Sequence, residues 1–325
     1  MTTPAQTSAN LTNSGLKGVL AMAVAMGLFI TNDTCLKLAV GTLPLGEAIF
    51  LRTAVSAVLL LALVARSGDL PALPLAAHPR VLGRSILDSL TTFLYVAALA
   101  VMPIASSTTI YMAAPLLTTA LAVPMLGEKV SLRGWCAIVI GFSGAVIVTR
   151  PDPATFSLIA LLPLIAAFCS SVRDVMTRGI GLEIPGPVVS ASAVLVLLVC
   201  SGAFAIWEPW HLPALRTVLY LLLAGTAFAG GTLLLVYAFR HAPVASISPL
   251  RYLMVFGALL SGYLVFGDVP DAWTSVGIVL VVGAGLYAIR QEQVRARNAR
   301  RAAACVAAGG SAMAHAAAAC AAPKD

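Results

Sequence analysis

The chain has 325 residues, 60% of them hydrophobic and 10% charged, against about 45–50% apolar and about 25% charged in soluble domains. That balance excludes a large extramembranous catalytic domain, a nucleic-acid-binding module and a disulfide scaffold. The formal net charge of +7 lies mostly in connections and tail, where membrane proteins place Lys and Arg for orientation, so it does not point to nucleic acid.

Residues 1–15 are polar and lack the charged region and cleavage site of a signal peptide. They are expected to form a cytoplasmic segment, and the first apolar run is a true span. Apolar runs then follow at 16–38, 46–65, 81–101, 104–126, 132–149, 157–178, 186–206, 214–238, 244–266 and 273–290. A membrane-spanning helix takes about 20 residues, so ten candidate helices use nearly the whole apolar supply. Lipid offers the backbone no hydrogen-bond partner, which requires helices here; the short alternating segments of a barrel are absent from the sequence. Residues 291–325 open on an arginine cluster and run into Ala and Gly. A cytoplasmic low-complexity tail is expected, its arginines facing anionic lipid.

Fourteen Lys and Arg residues, from Lys17 and Arg66 to the 290–301 cluster and Lys324, fall on the side of the N-terminus, whereas Lys37, Arg150 and Arg216 fall on the other. This bias puts both termini in the cytoplasm. Residues 103–128 also align without gaps on 243–268. Pro103-Ile104-Ala105-Ser106 matches Pro243-Val244-Ala245-Ser246, and Gly127-Glu128 matches Gly267-Asp268. A shift of 141 lays Asp33 and Lys37 on Asp174 and Arg178. Two five-span halves, 16–150 and 151–290, must be related by inversion, because an odd number of crossings flips the second copy. Such repeats let a midplane site open alternately to either side.

The motif PIAS…LGEKV before a Gly-studded span, its second copy PVAS…FGDVP, and Arg52 in FLRTAV resemble the drug/metabolite transporter superfamily, EamA type, over residues 16–290. Within it, ITNDTCLK at 30–37 and the segment 248–271 resemble bacterial S-adenosylmethionine uptake carriers, with riboflavin-type carriers as neighbours. The resemblance implies an all-helical integral membrane fold, two inverted five-helix repeats around a central cavity, and spans three, four and nine in the cavity wall.

Charges kept inside a membrane usually face a polar cavity. Asn32 and Asp33 lie in span one, with Lys37 one turn on and able to pair with Asp33. Arg173 and Asp174 lie in span six, where neighbours point about 100° apart and a partner from another helix is required. Arg251 and Tyr252 follow Pro249 in span nine, with Arg251 placed to bind a carboxylate or hold Asp33 or Asp174. Tyr95 and Tyr111 offer stacking surfaces, as does Phe93. These residues form the candidate solute site, with Asp33 and Asp174 as candidate coupling carboxylates. Arg52 is read as structural, the Arg84/Asp88 pair as a helix-entry feature and Glu47 as interfacial.

GFSG at 141–144 has the form of an intramembrane serine protease motif with Ser143 as nucleophile, yet His78, His211, His241 and His315 all fall in loops or tail, leaving no base in a span. The glycines suit close helix packing instead. No phosphate loop, dinucleotide fingerprint or zinc motif is present, and the six cysteines have no ligand spacing. No enzyme activity, cofactor or metal is expected. The expected function is secondary active transport of a small polar organic metabolite across the cytoplasmic inner membrane, S-adenosylmethionine-like or another vitamin, nucleoside or amino-acid type. It is coupled to protons or run as exchange, by a monomer or homodimer. A passive channel is the alternative, and the protease a remote one.

Overall fold

A computed structural model describes residues 4–126, 132–149, 158–178, 180, 183–241, 248–287, 290 and 294. Regular structure among them is helical throughout. The first helix, α1 (Pro4–Val40), starts well ahead of the apolar run at 16, so the polar segment continues it rather than standing apart. It is followed by α2 (Leu45–Ser67) and α3 (Pro79–Val101). Gly68 ends α2 at φ 78, with its own N–H reaching Ala65 and that of Asp69 reaching Val64, a Schellman closure that favours Gly. Pro103 opens α4 (Ile104–Tyr111).

The sequence reads 104–126 as one helix, but it divides into α4 and α5 (Ala114–Leu126). Pro115 has no N–H for the carbonyl of Tyr111 and crowds it, so the ladder breaks between them; Ser171 then donates to the Ala114 carbonyl at 2.9 Å and braces the junction. Helix α6 (Leu132–Thr149) completes the first half, and the second contains α7 (Leu161–Arg178), α8 (Gly186–Ala205) and α9 (Leu215–His241). Its last part holds a 3-10 turn at Ser248–Tyr252, α10 (Leu253–Ser261), a π turn at Gly262–Phe266 and α11 (Ala272–Tyr287). Five of these are long and apolar enough to cross a membrane: Lys17–Val40 in α1, α2, α3, α8 and Leu215–Ala238 in α9; shorter apolar helices lie at Ile138–Val148, Leu250–Phe266 and Ala272–Tyr287. Gly127-Glu128, the motif at 243–246 and the tail from 295 lie outside the described residues.

Each half packs mainly on the other. Helix α1 lies along α9, α3 along α7 and α2 against α8, while α2 also meets α9, α3 meets α8 and α4 meets α10. A Cβ on Gly144 would come within 2.9 Å of the Gly277 carbonyl, and one on Gly277 within 2.7 Å of that of Gly144, so α6 and α11 touch backbone to backbone. Gly141 continues that face against Leu116 and Ala284. The glycines of GFSG are thus packing residues. Ser143 is exposed between them and donates back to Val139 at 2.9 Å. Large apolar side chains such as Val58, Val199 and Leu264 cover the outer surface, as contact with lipid requires.

Candidate functional site

The site begins at a close approach of two helices. Ser56 donates to the Gly225 carbonyl at 2.8 Å, and a Cβ on Gly225 would lie 2.6 Å from the Arg52 carbonyl. This proximity of α2 to α9 sets Phe228, one turn beyond Gly225, under Arg52, with the guanidinium carbon 4.1 Å from the ring centroid. Arg52 is 1% exposed and donates Nη1 to Asn32 Oδ1 at 3.4 Å. The Asn32 amide donates to Asp33 at 2.9 Å, and Tyr95 donates its hydroxyl to the other Asp33 oxygen at 3.2 Å. Since that commits the only proton of Tyr95, Thr108 donates to the Tyr95 oxygen across 2.8 Å. A buried polar chain therefore crosses α2, α1, α3 and α4.

A second cluster lies on α7. Arg173 folds back to Asp174 with Nε at 3.1 Å and Nη2 at 2.9 Å, and its Nη1 reaches Asp88 on α3. Arg251 Nη1 meets the second oxygen of Asp174 at 3.2 Å. Although neighbours at 173 and 174 point apart, the long arginine bends back along the helix surface to reach Asp174, and each residue also finds the expected partner on another element. The arrangement repeats that of the first half. In both, the residue before the aspartate binds one carboxylate oxygen, and a side chain from another helix binds the other.

These clusters share one cavity of about 490 Å³. Asn32, Asp33, Tyr95, Tyr111, Arg173, Asp174 and Arg251 all line it. Tyr95 and Tyr111 pack with ring centroids 4.9 Å apart at 45°, and Tyr111 donates to Ser170 at 3.0 Å. Tyr252 does not join them. The turn at Ser248–Tyr252 directs it from its neighbour Arg251 into a core against Gly285, where a Cβ would lie 1.7 Å from its hydroxyl. Phe93 likewise turns away, edge-on to Phe204 at 5.5 Å.

Three residues read as peripheral belong to this wall: Arg52, Arg84 and Asp88. The signal for Arg52 was a lone cation deep in an apolar run; for Arg84 and Asp88, position near a helix end masked it, because the cavity extends to the connection holding Ile180 and Ile184. The expected Asp33–Lys37 pair does not form. Lys37 instead donates to the carbonyls of Leu99 and, at closer range, Met102, and sits 5.2 Å over the Phe266 ring. Those carbonyls end α3, where helical partners run out. Glu47, in the first turn of α2, is buried and accepts the His211 backbone N–H at 3.1 Å, while Glu208 caps α2 through the N–H groups of Gly46 and Glu47 at 2.8 and 3.2 Å. Among the described residues no group of His, Cys, Asp and Glu has the geometry of a metal site.

The EamA-like transporter family matches residues 16–150 and again 157–290. A riboflavin transporter of Rhizobium johnstonii is 30% identical over 220 residues, 67% of this chain and 72% of that protein. An S-adenosylmethionine uptake transporter of Rickettsia bellii is 27% identical over 65% of this chain and 72% of its own. A pseudopaline exporter of Pseudomonas aeruginosa is 26% identical over 82% and 93%. A solved crystal structure aligns with TM-score 0.62 at 20% identity over 84% of this chain and 96% of the other, a likeness of fold. The family and these relatives are transporters rather than enzymes. With a family match in each half and apolar helices packed around a charged cavity, the chain is an integral membrane protein of the EamA-like transporter family, within the drug/metabolite transporters.

Proposed function

We propose that this protein is a secondary transporter that moves a small polar organic solute across the cytoplasmic membrane by alternating access. It crosses the membrane ten times with both termini in the cytoplasm. The observation that carries the reading is the shared cavity, in which charged and aromatic side chains from both halves converge between apolar helices. Such a midplane site between repeats suits a carrier.

Helix pairing supports an inverted repeat of 16–150 and 151–290. Exchanging the halves turns α1 on α9 into α7 on α3, turns α2 on α9 into α8 on α3, and returns α2 on α8 to itself. The cavity draws on helix ends that the Lys and Arg bias assigns to the cytoplasm, including the start of α3 and the connection before α8. Lys37, Glu47 and Glu208 tie the opposite ends together. The architecture therefore reads as the cytoplasm-facing arrangement of the cycle. Transport runs by proton coupling through Asp33 or Asp174, or by exchange. The solute is S-adenosylmethionine-like or of another vitamin, nucleoside or amino-acid type.

Counterflow in proteoliposomes tests this. Vesicles loaded with unlabelled S-adenosylmethionine, riboflavin or an amino acid mixture should transiently accumulate the matching labelled compound. Uptake that rises linearly with concentration and never overshoots would replace the carrier with a channel; protein cleavage lost on Ser143→Ala would replace it with the protease.

A further inference from the structure

Arg52 is one of the largest side chains removed from solvent in the protein, yet its hydrogen bonds are incomplete. Nη1 meets Asn32, and Phe228 covers one face. Nε and Nη2 are buried and have no hydrogen-bond acceptor among the described residues. These two nitrogens share one edge of the planar guanidinium, and that edge matches the two oxygens of a carboxylate. A buried cation without such a partner is strongly unfavourable.

The nearest candidate within the chain is already engaged. Asp33 accepts from Asn32 with one oxygen and from Tyr95 with the other, and Asn32 separates it from Arg52. Asp88 and Asp174 are held by Arg173 and Arg251. The described lining contains four arginines, at 52, 84, 173 and 251, against three aspartates, at 33, 88 and 174. One formal positive charge is therefore left over in the wall, and the arginine with a free bidentate edge lies in that wall.

We propose that the Nε/Nη2 edge of Arg52 binds a carboxylate of the transported solute, so that the protein selects small organic carboxylates. This rests on the cavity being the solute site. Phe228 and Asn32 hold the guanidinium in a fixed plane, which lowers the entropic cost of binding; Nε and Nη2 are closed to solvent in this arrangement, so a carboxylate reaches that edge once the side chains over it give way. Met26, Phe29 and the Tyr95/Tyr111 pair surround the remaining volume and would accept an apolar or planar remainder of the molecule. Replacing the carboxylate by a neutral amide removes the charge and one acceptor together.

The test uses the purified full-length protein in detergent, isotopically labelled at arginine Nε, titrated with 3-phenylpropionate and separately with 3-phenylpropionamide. The expected result is that one Nε–H resonance, absent from Arg52→Lys, shifts saturably with the acid and not with the amide. Arg52→Lys should bind the acid roughly 10- to 100-fold more weakly. If Arg52→Lys does not fold, Phe228→Leu identifies the resonance, because it removes the ring current from Arg52 alone. No shift at saturating acid, an equal shift with the amide, or shifts confined to Arg84, Arg173 and Arg251 would overturn the proposal. The binding test does not depend on transport: a saturable Arg52 shift without counterflow sinks only the carrier reading, and counterflow of a solute with no Arg52 shift sinks only this one.

Discussion

Asp33 and Tyr252 are both polar groups in apolar runs, and they occupy opposite environments. Asp33 sits in the cavity wall, held by Asn32 and Tyr95. If its proton couples transport, Asp33→Asn should abolish the dependence of uptake on an imposed pH gradient while leaving exchange of bound solute. Gradient-driven uptake persisting in a folded Asp33→Asn carrier would assign coupling elsewhere, with Asp174 next. Tyr252 has a buried hydroxyl with no hydrogen-bond partner among the described residues. Removing a group that makes no bond costs little, so Tyr252→Phe should change stability by less than about 0.5 kcal/mol and leave solute affinity unaltered. Tyr252→Ala should cost about 3–5 kcal/mol through the cavity it leaves. Thermal unfolding in detergent compares the two. Asn32, Asp33, Arg173, Asp174 and Arg251 were legible because a charge or amide in an apolar run has few placements. The aromatics were legible only in part: Tyr95 and Tyr111 line the cavity whereas Phe93 and Tyr252 do not, since a ring is equally at home in core, cavity or lipid.

At the scale of elements, glycine position decides which helices touch. The Gly144/Gly277 contact has no room for a side chain, whereas a Cβ on Gly283 meets nothing within 4 Å. Gly144→Leu should therefore destabilise by about 1–3 kcal/mol through overpacking. Gly283→Ala should be neutral or stabilise by up to about 1 kcal/mol, as a helix former replacing Gly. The same denaturation measurement checks both, and equal losses would remove the distinction. The repeated Gly pattern was readable in the sequence, but which glycine faces which partner was not, because rotation of a nearly uniform apolar helix leaves its hydropathy unchanged. The break in span four was readable only as a Pro at 115. Many membrane helices carry such a residue without a break; here Ser171 from α7 donates to the Ala114 carbonyl beside the break and holds the junction.

For the molecule as a whole, one cavity wall and one set of ties divide the two ends of the bundle. Lys37 holds the end of α1 against the end of α3 and over Phe266. If the protein alternates access as proposed, Lys37→Met, which removes a charged donor from those carbonyls, should shift it toward opening on that side. A change of about 1.4 kcal/mol is roughly tenfold in population, so labelling of a cysteine placed at Leu43, buried just past the end of α1, should quicken by about that factor. Unchanged labelling would make Lys37 an anchor rather than a latch. The ion pairs among Arg173, Asp88, Asp174 and Arg251 hold α3, α7 and α10 together. Arg173→Leu takes a partner from the half-buried Asp88 and leaves Asp174 to Arg251 alone, and should cost about 1–3 kcal/mol in thermal unfolding.

The sequence by itself determined the class of the protein, because lipid permits only a few backbone solutions and a chain this apolar leaves little else. Its rare intramembrane charges also marked most of the polar cavity wall. Tertiary structure alone decided the pairings: Lys37 with backbone carbonyls instead of Asp33, Arg173 with its own neighbour, Glu47 buried, and Arg52 drawn from scaffold into the wall. Charge partners in a membrane are chosen by which helices meet and how far a long side chain can bend, and neither follows from spacing along one helix.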